Sequence, residues 1–150
     1  MALSSNELFR AIDAPLKNVH SWGAIHETNS SVILRVWRDQ SEMMGNQRMF
    51  RLTCKGKWDK NNRFPYKERK RHIKLIQEGD PGFMIVHTST ETMEKCGART
   101  ITGWDRRIWQ IDRIVKYTDK DNDVDLWGLV KGKPVDIPVK YKTLWKLFGL

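Results

Sequence analysis

Nine basic side chains fall within the twenty positions from Lys55 to Lys74: Lys55, Lys57, Lys60, Arg63, Lys67, Arg69, Lys70, Arg71 and Lys74. Only Asp59 and Glu68 oppose them, so this segment carries +7 of the chain's formal +9, and the other 130 residues carry +2. Charge concentrated in this way makes a local field that draws polyanions, whereas a uniformly basic surface would not focus one. A solvated helix face is the plainer reading of a Lys-rich stretch, but the density here favours a nucleic-acid partner, DNA or RNA. Lys55, Lys57, Lys60, Arg63, Lys67, Arg69, Lys70 and Arg71 are the residues expected to neutralise phosphates.

Seven tryptophans in 150 residues supply the second kind of chemistry, base stacking. Trp109, Trp127 and Trp145 stand in regular apolar contexts and read as core. Trp58 lies between Lys57 and Asp59 in a polar stretch, where it has no obvious core to enter and a base can stack on it for roughly 1–3 kcal/mol. Trp22 and Trp37 stand on two arms of an expected hairpin. With polar edges from Asn18, Ser21 and Asp39 they have the makings of a pocket for a flipped or single-stranded base. Two indoles packing across a hairpin is the competing reading.

Enzyme templates fare worse. His20, His26, His72 and His87 form no H-E-x-x-H pattern, and no H-x-E is joined to a C-x-x-C, so no metal site is expected. Asp119-Lys120-Asp121-Asn122-Asp123 opens like a calcium loop, but Val124 and Val130 occupy the positions that need Gly and Glu. An acidic hairpin turn is the better reading. There is no phosphate-binding G-x-x-x-x-G-K-[ST] loop and no G-x-S-x-G elbow. Asp59 followed by Glu68-Arg69-Lys70 mimics the acidic-then-E-x-K set that holds magnesium beside a lysine. Such a set normally lies on a strand, whereas these residues fall in a basic helical stretch. No catalytic residue, metal or cofactor is assigned.

The elements that must position these residues can be read in outline. Ser4-Ser5-Asn6-Glu7 has the S-x-x-E form of a capping box, and the helix it starts must stop by Ala14 because Pro15 follows. Ser21 to Glu27 and Ser31 to Arg38 flank Thr28-Asn29-Ser30 as a hairpin. In its second arm Val32, Leu34 and Val36 share one face, and Ile33, Arg35 and Trp37 the other. That pattern suggests one core face and one face towards a groove. Met49 to Cys54 reads as a third strand leading into a loop over the first half of the basic segment. A helix is expected from Tyr66 to Glu78, with Ile73, Leu75 and Ile76 buried and Lys67, Arg69, Lys70 and Lys74 outside. Gly79-Asp80-Pro81-Gly82 breaks it. Phe83 to Thr88 reads as a central strand, Thr90 to Gly97 as a loop or helical turn, and Ala98 to Gly103 and Ile108 to Tyr117 as two further strands. The second of these is joined to a partner from Val124 to Lys131. Pro134 and Pro138 mark irregular chain, and Thr143 to Phe148 a last short helix. The expectation is one α+β domain over residues 1–150, with about six strands in a small, mostly antiparallel sheet that curls or closes into a barrel.

Composition sets the remaining bounds. At 39% hydrophobic residues the chain can bury a core and is not a disordered polymer. Its longest apolar runs are strand-sized, so no membrane partner is expected. The first seven residues have neither a basic nor an apolar leader region, which makes the cytoplasm the expected location. Cys54 and Cys96, 42 positions apart in unrelated contexts, permit a disulfide, but two free thiols is the better reading.

From Ile73 to Val130 the chain resembles the PUA-like superfamily, which includes the EVE, ASCH and YTH domains. The likeness is carried by a helix ending in Gly79-Asp80, the strand Phe83-Met84-Ile85-Val86, Ile101-Thr102-Gly103, and Trp109-Gln110-Ile111-Asp112-Arg113-Ile114-Val115. Ser21-Trp22-Gly23 also looks like the first strand of EVE- or YTH-type domains, which extends the likeness to about two thirds of the chain. The G-x-K-x-x-E-x-R signature of the ASCH branch is absent. The resemblance implies a small barrel that takes one base, often a modified one, into an aromatic pocket. Two other classes fit the same residues. One is a magnesium-dependent nuclease using Asp59, Glu68 and Lys70; the other is an inhibitor or interaction module that docks its basic face on an acidic protein.

Overall fold

Ser4 caps the first helix as its sequence demands. In the computed structural model, which describes residues 3–18, 20–58, 63–90, 96 and 99–150, helix α1 spans Ser5–Ala11. Ser4 Oγ accepts the Glu7 amide (3.2 Å) and Glu7 Oε1 accepts the Ser4 amide (2.9 Å). This reciprocal pair satisfies two of the donors a helix start leaves open. The helix stops before Pro15 and turns Leu8 and Phe9 into the interior.

Strands β1 (Gly23–Ile25) and β2 (Val32–Trp37) form the expected hairpin, with Gly23 opposite Leu34. Gly23 is required there, because a Cβ would sit 2.7 Å from the Ile33 carbonyl oxygen. A second hairpin follows, β3 (Ser41–Met44) and β4 (Gln47–Arg51), turning over Gly45 with φ at +60°. The sequence reading has a single strand in this region. The short helix α2 (Lys55–Trp58) and the long helix α3 (Phe64–Gln77) then carry the chain to β5 (Gly82–Ser89), which runs parallel to β2. All other pairings are antiparallel.

The two strands expected between 98 and 117 are one strand, β6 (Ile101–Thr118). Its first half pairs with β5 and its second with β7 (Val124–Val130), and the register shifts between Ile111 and Arg113. A bulge of this kind bends and twists a strand, which lets one strand serve two sheet regions. β8 (Val135–Asp136) pairs with β6, and a 3₁₀ helix (Tyr141–Phe148) closes the chain.

The result is an α+β fold on an eight-stranded mixed sheet of order β1-β2-β5-β6-β7-β4-β3, with β8 off that path. Among the described residues β1 and β3 remain its edges, so the pairing does not close into a barrel. The sheet nevertheless curls. β2 and β4 lie four strands apart in the order, about 19 Å if the sheet were flat, yet their Leu34, Val36 and Phe50 share one core with Met84 and Val130. Ile73 of α3 joins this inner core. On the outer face Leu8, Phe9 and Ile12 pack with Ile33, Phe83, Ile85, Ile108 and Trp145. β2 is therefore covered on both faces, and the face of Ile33, Arg35 and Trp37 lies under α1 rather than along a groove.

Cys54 and Cys96 form a disulfide, with their Cα atoms 6.1 Å apart, in place of the free thiols expected. The bond joins residues 42 positions apart, so no local sequence signal announces it. Among the described residues no helix is long and apolar enough to cross a membrane.

Candidate nucleic-acid interface

The basic segment is presented mainly by α3. Pro65 lies in its first turn, where a missing N–H costs nothing. Tyr66, Glu68, Arg69, His72 and Ile73 point inward, whereas Arg63, Lys67, Lys70, Arg71 and Lys74 are exposed, as is Lys55 at the start of α2. Arg69 thus corrects the expected orientation. It lies on the same helical stripe as Tyr66 and Ile73, and Leu75 and Ile76 are only half-buried. Its Nη1 donates to Leu52 O (3.1 Å), and its Nη2 to Trp22 O (2.9 Å) and Arg35 O (2.6 Å). A guanidinium at 4% exposure with three internal carbonyls to serve has no phosphate to meet. Burial pushes Arg69 down to about 9, which leaves it cationic at neutral pH.

The same rotation takes Glu68 off the outer face. Glu68 is buried, and Glu78 lies 3.9 Å from Lys74 with both side chains exposed, a pairing worth little in water. It also separates the E-x-K residues, because positions two apart on a helix diverge by about 200°: Glu68 faces in and Lys70 faces out. Asp59 and Lys60 lie outside the described residues, as do the side chains of Lys57 and Trp58. Among the described residues no cluster of His, Cys, Asp and Glu able to hold a metal is present.

Trp22 and Trp37 are placed against different elements. The Trp22 ring lies 5.0 Å from Tyr66 of α3 and packs beside the Cys54–Cys96 disulfide, with Arg69 over it at 5.8 Å. Trp37 shares the α1 side of β2, beneath the Arg99 guanidinium at 5.3 Å and edge-on to His87. The two indoles therefore do not face one cavity as a base sandwich. Asp39 is held by Arg99 Nη1, 2.7 and 2.8 Å from its two oxygens, so its carboxylate is already engaged. Ser21 is fully buried: its Oγ accepts the Asn18 amide and its carbonyl accepts Arg35 Nη1 (2.7 Å). Asn18 is exposed.

Two buried polar networks escaped the sequence reading. In the first, His87 Nδ1 donates to Ile85 O (2.8 Å), which makes Nε2 the acceptor for Ser5 Oγ (2.7 Å). Ser5 Oγ in turn accepts Arg35 Nε (3.1 Å), and Arg35 Nη2 donates to Asn6 Oδ1. A serine on a histidine has the geometry of a nucleophile and its base. Here His87 is fully buried and Ser5 6% exposed, so the pair ties α1 to β5 and meets no substrate. Burial holds Arg35 at about 10 and His87 at about 4. In the second network Arg51 pairs with both Asp119 and Asp125. Asp125 Oδ1 also accepts Thr53 Oγ1 (2.9 Å) and the Lys55 amide (2.7 Å). Asp119 Oδ1 accepts the amides of Asp121 and Asp123, the expected acidic hairpin turn. One signal for the first network was available, a lone arginine inside the apolar run of β2.

No family model matches this chain, and neither a curated protein nor a solved structure shows significant similarity to it.

Proposed function

We propose that this protein binds nucleic acid by its phosphates, through the outward face of α3 together with Arg63 and Lys55. The observation that carries the reading is the sorting of charge on that helix: Lys67, Lys70, Arg71 and Lys74 outside, Glu68 inside. Fourteen residues make a helix about 21 Å long, and a duplex presents roughly twelve phosphate charges over that length. Among the described residues, the acid beside these cations is Glu78, which is exposed and weakly paired with Lys74. A PUA-like architecture stays part of the proposal on the sequence likeness alone. Base recognition by Trp22 and Trp37 draws no support from their placement.

The test is the triple variant Lys67→Ala, Lys70→Ala, Arg71→Ala, titrated with short duplex and single-stranded DNA and RNA across a salt series. All three positions are exposed, so the fold is expected to be kept. Each lost phosphate contact lowers the log–log salt slope by about 0.9 on a duplex and about 0.7 on a single strand. We expect a slope smaller by about two to three, with affinity reduced for all sequences alike. An unchanged slope, or no binding by the unaltered chain, overturns the reading; in the second case an acidic protein is the partner to seek for this face.

A further inference from the structure

Between α1 and residues 15–18 lies a cavity of about 250 Å³, lined by Asn6, Arg10, Pro15, Leu16, Lys17 and Asn18. Its two carboxamides are oriented by internal bonds. Asn6 Oδ1 must be the oxygen because it accepts Arg35 Nη2, and Asn18 Oδ1 must be the oxygen because it accepts the His20 amide (2.7 Å). Each oxygen thus already serves a donor of the chain, and the NH₂ group of each side chain has donors to offer a ligand. Arg10 and Lys17 add two cations that form no ion pair among the described residues, and no carboxylate lines the space. Glu7, one turn before Arg10, is turned back onto the Ser4 amide. Leu16 packs on the outer core and Pro15 fixes its own φ, so the wall opposite α1 is anchored.

A hollow lined by two carboxamides and two cations, with no carboxylate among its described lining residues, is complementary to an anion. Its volume falls below the roughly 300–1,000 Å³ of drug-sized sites and suits one compact oxyanion with part of what it is attached to. From this geometry we infer that the cavity is a binding site for a phosphate group, held by Asn6, Arg10, Lys17 and Asn18. The phosphate can come from a nucleic acid or from a free phosphomonoester. The site does not rest on the α3 reading, although it borders that face: Lys17 and Arg71 both act on the buried His72, whose imidazole desolvation and surrounding positive charge hold at about 4.

The experiment is an NMR titration of the full chain with inorganic phosphate, following the side-chain NH₂ resonances of Asn6 and Asn18. Saturable shifts of both are expected. Asn18→Asp keeps the oxygen that the His20 amide needs, removes the donors and adds a repelling charge, so it should fold normally and lower phosphate affinity about tenfold or more. The pair Arg10→Ala with Lys17→Ala should do the same. The α3 triple variant should bind phosphate like the unaltered chain, which separates failure of this site from failure of the α3 reading. Better displacement by a 5′-phosphorylated oligonucleotide than by its 5′-hydroxyl form would assign the phosphate to a strand end. Equal displacement would assign it to the backbone, and displacement by neither to a free phosphomonoester. Absence of saturable shifts, or unchanged affinity in both cavity variants, would overturn the assignment.

Discussion

Arg69 serves carbonyls from three separate stretches of chain, Trp22 before β1, Arg35 in β2 and Leu52 after β4. No aliphatic side chain can replace it without leaving acceptors in a dry interior short of donors. Trp22 O retains the Arg35 amide as a second donor, so the loss is not threefold. We expect Arg69→Met to cost on the order of 3 kcal/mol, read as a lower urea midpoint at unchanged slope. Arg69→Lys should recover only part of it, because one ammonium cannot reproduce a planar fork aimed at three oxygens. Equal stability of the methionine variant and the unaltered chain would return Arg69 to the surface and to the phosphates. The residue also shows why a charge count finds a basic segment but not its contact residues. Helical periodicity is read from apolar positions, and Arg69 holds an interior position for reasons that lie in three distant stretches of backbone.

At the scale of elements, two histidines fasten helices to the sheet while neutral. His87 of β5 accepts from Ser5 of α1, and His72 of α3 lies against β1, close enough that a side chain on Gly23 would meet its Nδ1 at 3.2 Å. Burial first, then nearby arginines (with Lys17 at His72), holds both at about 4 against an ordinary value of 6.5. In the unfolded chain both take a proton near 6.5; in the folded chain they take it only near 4. Stability is therefore whole above about pH 6.5, falls as pH drops through that window, and changes no further below it on their account. The loss is on the order of 3 kcal/mol per histidine at its limit. Urea midpoints between pH 7 and pH 4 should trace it, and a flat profile would mean that the imidazoles are not buried as described. Elements with local signals were legible in the sequence: the capping box of α1, the β1–β2 hairpin, the central β5 and the acidic turn before β7. β3 was not, because its Ser41-Glu42-Met43-Met44 has no strict alternation. β6 reads as two strands in the sequence because the polar Asp105-Arg106-Arg107 interrupts its apolar positions, whereas Asp105 accepts both the Arg107 amide and its guanidinium within the strand. Of the candidate site, the charge and the outward placement of Lys67, Lys70 and Lys74 were legible, whereas the inward turn of Arg69 was not. The phosphate cavity was invisible, since only Asn18 of its residues had been singled out.

The disulfide acts on the molecule as a whole. Cys54 stands where β4 passes into the basic segment and Cys96 beyond β5, so the bond closes a loop that contains α2, α3 and the central strand. With 42 positions between its ends, restriction of the unfolded chain alone is worth about 4 kcal/mol. It also clamps the start of the basic segment beside Tyr66 and Trp22, over whose ring Arg69 is seated. Reduction should therefore lower the urea midpoint by a corresponding amount. A Cys54→Ser, Cys96→Ser variant should begin at that lower midpoint and show no response to reductant. Nucleic-acid affinity separates the two consequences: the exposed lysines of α3 do not depend on the bond for their charge, so the reduced chain, while folded, should bind with the same salt slope. A reduced chain that keeps its stability would show that the two sulfurs are not bonded in solution. A reduced chain that keeps its fold but loses its slope would show that the tether, and not the helix alone, sets the geometry of the basic face. Because cytosolic thiol buffers open ordinary disulfides, the compartment expected from the N-terminal sequence and the bond seen here act in opposite directions, and the redox dependence of stability decides which form of the chain is the working one.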